Sequence, residues 1–193
     1  MRVAPAFLAV ALAAATAGLA HRVSAGEPLW LAAAGIDDLL SGVDYVPDKP
    51  ELDEALGDPP EDELIAIATS DATDPGVRVR AYRALAHYPT DPTRVVLMTA
   101  IASYQEATSG PEVLYLRAAM HSLAAVSGAN AVLVLDDLLY SSSRDIRADA
   151  ALALGETGSG TAVPLLHARR TEEQVAQVIW AIDEAIRMLN NST

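Results

Sequence analysis

The sequence predicts an all-α fold, an α-solenoid or superhelix of about four stacked helix pairs preceded by an irregular acidic segment. Three observations carry this reading. A helical stripe set out by Val77, Ala81, Ala84 and Leu85 recurs at the same offsets of four, seven and eight residues. It returns as Tyr115, Ala119, Ser122 and Leu123, as Ile146, Ala150, Ala153 and Leu154, and as Val178, Ile182, Ala185 and Ile186. The copies lie 38, 31 and 32 residues apart, a period at which each helix pair buries its apolar face only against its neighbours. Finally, the 193 residues are 51% hydrophobic but only 5% aromatic, which suits Ala-rich helices that approach one another closely.

Taken in order, the chain begins with Arg2, an apolar run over residues 3–20, then His21, Arg22 and Val23-Ser24-Ala25-Gly26. A short positive start, an apolar stretch and small residues at Val23 and Ala25 predict a signal peptide over residues 1–25, cut between Ala25 and Gly26. The expectation is an exported protein, periplasmic or secreted. The alternative is a membrane anchor through an uncleaved N-terminal segment, since the run is at the lower limit of a bilayer span.

Residues 26–59 show no repeat. Pro47, Pro50, Pro59 and Pro60 keep any helix here short, and the apolar groups at 29–31 and 36–40 suggest one or two short helices that cap the stack. Between Asp44 and Asp74 eleven acidic residues face Lys49 alone, so this stretch reads as solvated.

Four helix pairs are expected next. They run over 61–69 with 76–87, 93–106 with 111–126, 129–140 with 144–155, and 161–170 with 172–189. Asp74-Pro75 and Asp91-Pro92 are read as N-cap and first helical residue, Ser127-Gly128 as a C-cap, and Thr171 with Gln174 as a capping box. Glu173, Gln177, Glu184 and Arg187 are expected on the outer face of the last layer, where replacing Glu173 should matter little.

The whole chain carries 13 Lys and Arg against 26 Asp and Glu; loss of Arg2 and Arg22 with the signal leaves 11 against 26, a net charge of −15. Such a surface repels phosphate backbones and anionic headgroups, so neither nucleic acid nor stable membrane insertion after cleavage is expected. Without cysteine there is no disulfide and no thiol nucleophile.

Asp74-Pro75-Gly76-Val77-Arg78 with Arg80-Ala81 and Ala84-Leu85, and Arg144-Asp145-Ile146-Arg147 with the run 150–158, resemble HEAT repeats of the short bilin-lyase-like type. The likeness spans residues 60–189 and leaves 190–193 as a tail. It implies that the second helix of each pair lines a concave face. It also implies that an Asp and an Arg near the inter-helix turn tie adjacent layers, here Asp74 with Arg78 and Asp145 with Arg147. The second copy departs from this, with Glu112 for the Asp and Arg117 later, and the fourth lacks the Arg.

No catalytic constellation is visible. HEAT-like metal hydroxylases hold iron with repeated His-Glu pairs, whereas His87, His121 and His167 are followed by Tyr88, Ser122 and Ala168, so no metal or cofactor is expected. The Gly-rich stretch 155–161 lacks a following Lys and reads as a helix connection. The acidic run has no EF-hand spacing, leaving weak Ca²⁺ binding at most. Arginines fall on or beside the second helices, and Arg80, Arg83 and Arg117 are the candidates for binding an acidic or carboxylate-bearing partner. The expected function is a monomeric, non-catalytic protein-binding scaffold or adaptor of the cell envelope; the alternative is a lyase-type or metal-dependent enzyme on the same scaffold.

Overall fold

The computed structural model describes residues 36–42, 45 and 47–191. The expected signal peptide and its expected cut between Ala25 and Gly26, like the apolar group at 29–31, lie outside the described residues. Those described form helices and turns with no strand: α1 (Ile36–Ser41), α2 (Lys49–Ala55), α3 (Pro60–Thr69), α4 (Pro75–Ala84), α5 (Asp91–Tyr104), α6 (Pro111–Ser127), α7 (Val132–Leu138), α8 (Arg144–Glu156), α9 (Ala162–Glu172) and α10 (Ala176–Asn191).

Local chemistry sets most of these bounds. Asp74 caps α4 by accepting from the Gly76 and Val77 N–H groups at 2.8 and 3.3 Å, satisfying donors that have no partner within the helix. The cap of α5 is Thr90, not Asp91: the Thr90 hydroxyl accepts from the Thr93 N–H, while Asp91 joins the first turn and pairs with Arg94 at 2.8 Å. Gly128 ends α6 at φ 49°, a conformation side chains resist, and its N–H reaches the Ala124 carbonyl. The last pair also divides differently from the sequence expectation. Thr171 lies inside α9 and bonds back to the Ala168 carbonyl. It is the Glu173 carboxylate that takes the Gln174 and Val175 N–H groups, each at 3.0 Å, and so makes the turn.

α3 packs on α4, α5 on α6, α7 on α8 and α9 on α10. Beyond the pairs, α4 touches α6, α6 touches α8 and α8 touches α10, while α3 touches α5 and α7 touches α9. The recurring stripe supplies these contacts: all of its residues are buried except Val77 and Ile186, which are partly so. Its one polar member, Ser122, donates to the Tyr82 carbonyl at 2.8 Å and so carries no unmet hydrogen bond into the core. A Cβ on Gly155 would come within 2.9 Å of the Ala185 Cα, so the absence of a side chain there lets α8 and α10 approach closely. The stretch Pro111–Leu138 is long and apolar enough to cross a membrane, but more than half of its apolar window is buried inside the protein.

The segment before the first pair packs as well. α1 contacts α4, Leu40 and Leu52 are fully buried, and the Tyr88 hydroxyl donates to Asp53 at 2.9 Å. Asp48, Asp53, Glu54 and Asp58 stay exposed while Leu40, Leu52 and Leu56 go in, which charge density alone does not reveal.

Candidate functional site: the face of the second helices

The second helices α4, α6, α8 and α10 are joined by side chains as well as by packing. Arg78 of α4 is 7% exposed. It donates to the Ala68 carbonyl at 3.1 Å, to Asp71 at 3.1 Å and to the Tyr104 hydroxyl at 3.3 Å, and its guanidinium lies 4.4 Å from the Tyr115 ring centre. One cation thus gathers α3, α5 and α6. Its carboxylate partner is Asp71 and not Asp74, because Asp74 is turned into the start of α4. In the same position of the third pair, Arg147 of α8 reaches Glu173 at 2.8 and 3.3 Å and the Ser141 and Ser142 carbonyls at 2.9 and 3.2 Å. Asp145 does not pair with Arg147; it accepts from Gln177 of α10 at 3.2 Å and lies 3.5 Å from Arg144.

Of the candidate partner-binding arginines, Arg80 donates to the Leu40 carbonyl and so holds α1 against α4. Arg117 of α6 donates to Asp149 Oδ1 on α8 at 3.2 Å and sets its Nε beside Oδ2 as an ion pair. Arg83 is exposed and has no hydrogen bond or ion pair among the described residues. Apart from Arg80 and Arg83, every described Lys and Arg lies against a carboxylate of the same chain.

Beside Arg117, one helical turn on, His121 points its Nδ1 at Glu156 of α8, 2.7 Å away, with its Nε2 3.9 Å from Asp149. Burial disfavours the imidazolium, but the hydrogen bonds and charges of Asp149 and Glu156 outweigh that and lift the His121 pKa to about 9. His121 is therefore a cation at neutral pH, and α6 and α8 are bridged by two cations and two anions. Among the described residues no group of three or more His, Asp or Glu side chains is placed to hold a metal ion.

The outward stripe of α6 runs Leu114, Arg117 and the half-buried His121; that of α10 runs Gln177, Trp180 and the half-buried Glu184, with Trp180 63% exposed. The His121–Asp149–Glu156 cluster escaped the sequence reading, which looked only at residues adjacent to each histidine. The signal available was Asp149 itself, an acid between the buried positions Ala148 and Ala150 of the repeat.

No protein-family model matches the sequence, and no curated protein matches it.

Proposed function

We propose that the four helix pairs form a short HEAT-type α-solenoid that serves as a non-catalytic scaffold of the cell envelope. In this reading a partner protein docks on the concave face made by α4, α6, α8 and α10. The observation that carries it is the unbroken succession of contacts among those four helices, bridged by Arg117–Asp149, His121–Glu156 and Asp145–Gln177. Side chains already held across helix boundaries lose little freedom when a partner arrives, and exposed Trp and Arg are the residue types that dominate binding energy at interfaces. The contact then rests on Arg83, Leu114 and Trp180, which are free to meet a partner, with a carboxylate opposite Arg83 and apolar groups over the other two. Arg80 and Arg117 shape the face from within.

The test is affinity capture from the host's own envelope extract, using the chain from Gly26 onward as bait. Arg83→Ala combined with Trp180→Ala should abolish capture of a specific protein while melting is unchanged. Val95→Ser with Leu133→Ser, on the exposed side of the first helices α5 and α7, should leave capture intact. Loss with the second pair and not the first would move the interface to the other layer and overturn the proposal.

A further inference from the structure

Between the second and third helix pairs, a cleft of about 310 Å³ opens on the edge of the molecule where the two inter-helix turns lie side by side. It is lined by Gln105 and Glu106 from the end of α5, and by Asp137, Tyr140, Ser141 and Ser142 from the end of α7 and the turn after it. Glu106 and Asp137 are exposed and meet no cation among the described residues. The turn itself already holds two guanidinium groups from its inner side. Arg147 donates to the Ser141 and Ser142 carbonyls, and the Arg169 guanidinium sits 5.2 Å from the Tyr140 ring centre. Those two cations are matched by Glu173 and by Glu172, which lies 3.6 Å from Arg169, so neither is left over to pair with the two cleft carboxylates.

We propose that this cleft receives an arginine or lysine side chain of a basic protein segment. The walls offer what such a group needs: two carboxylates for charge-assisted hydrogen bonds, hydroxyls for the remaining donors and an aromatic face beside them. The charge of the whole molecule points the same way. Nearly all of its cations are engaged internally, and a chain with 26 acids against 13 bases steers cationic partners inward and acidic ones away. The inference extends the scaffold reading by a second contact and rests on it only for the occupant being part of a protein.

The probe is a fluorescein-labelled Gly-Ser-spaced tetra-arginine peptide, followed by anisotropy on the mature chain at low salt, with a tetra-glutamate peptide of equal length alongside. Glu106→Gln with Asp137→Asn should weaken arginine-peptide binding by at least about fivefold, the scale of losing charge-assisted contacts. Glu61→Gln with Asp62→Asn removes the same charge from α3 and should change it by less than about twofold. Circular dichroism and melting of both variants should match the parent. Equal losses for both pairs would mean attraction to net charge alone, and an absence of binding, or equal binding of the glutamate peptide, would also overturn the assignment. Because the second-helix face is untouched by these changes, capture dependent on Arg83 and Trp180 succeeds or fails separately.

Discussion

Arg147 on α8 and Glu173 in the turn after α9 belong to different helix pairs, yet they are joined by two hydrogen bonds of 2.8 and 3.3 Å with side chains only 12% and 3% exposed. Arg169 donates to the same carboxylate, which also takes two backbone N–H groups. Glu173 thus fastens the fourth pair to the third alongside the packing of α8 on α10.

Glu173→Ala should therefore cost about 3 to 5 kcal/mol, the usual result of leaving a buried charge partner stranded. Glu172→Ala, whose side chain is 63% exposed, should stay within about 0.5 kcal/mol. Urea denaturation of the two variants measures both. This reverses the expectation from sequence, in which Glu173 is a dispensable outer residue.

The same contacts set an acid limit. Hydrogen bonds from Arg147 lead, and those from Arg169 and the Val175 and Gln174 N–H groups add, in holding the Glu173 carboxyl well below the usual range against the opposing effect of burial. Its folded pKa is depressed, so its contribution is present above the unfolded carboxylate value of about 4.3 and is lost as pH falls below it. Urea midpoints taken from pH 6 down to pH 3 should drop, and Glu173→Gln should flatten that drop.

His121 gives the opposite dependence. Its pKa is raised to about 9, so the stability it contributes is complete below the unfolded value of about 6.5 and fades as pH rises through 9. An NMR titration of the His121 ring should show a midpoint well above 8. A midpoint near 6.5 would mean that the Asp149 and Glu156 contacts do not hold in solution.

Leu154 ends the third copy of the stripe and is fully buried. Leu154→Ala should cost about 2 to 5 kcal/mol, whereas Leu133→Ala, at a residue 77% exposed, should be nearly neutral. Equal effects would break the repeat register.

The two arginines of α4 that lack a carboxylate partner should also separate. Arg80→Ala removes the hold on the Leu40 carbonyl and should make the α1 segment more sensitive to protease. Arg83→Ala should leave protease sensitivity and melting as they were.

The helical layers were legible because Ala81, Ala119, Ala150 and Ile182 and their companions are apolar at one spacing, and burial follows that spacing directly. The ties were less so. Arg78 and Arg147 were marked as the cations to watch, but their partners, Asp71 and Glu173, are chosen by which carboxylates the turns leave free, and Asp74 was already committed to capping. Arg117 and Asp149 lie on different helices with 31 residues between them, and only the crossing of α6 and α8 brings them together. Leu40 falls in the apolar group 36–40 that is expected to form a short helix and does so as α1; Leu52 was obscured by the acids around it.

Docking of a partner on the second helices is open to site-specific photo-crosslinking. A benzophenone amino acid is placed in turn at Arg83, Leu114, Trp180, Val95 and Leu133 of the full-length chain in its own host. One common crosslinked protein is expected from Arg83, Leu114 and Trp180, and none of it from Val95 or Leu133; that protein appearing from Val95 and Leu133 alone would rule out docking on the second helices.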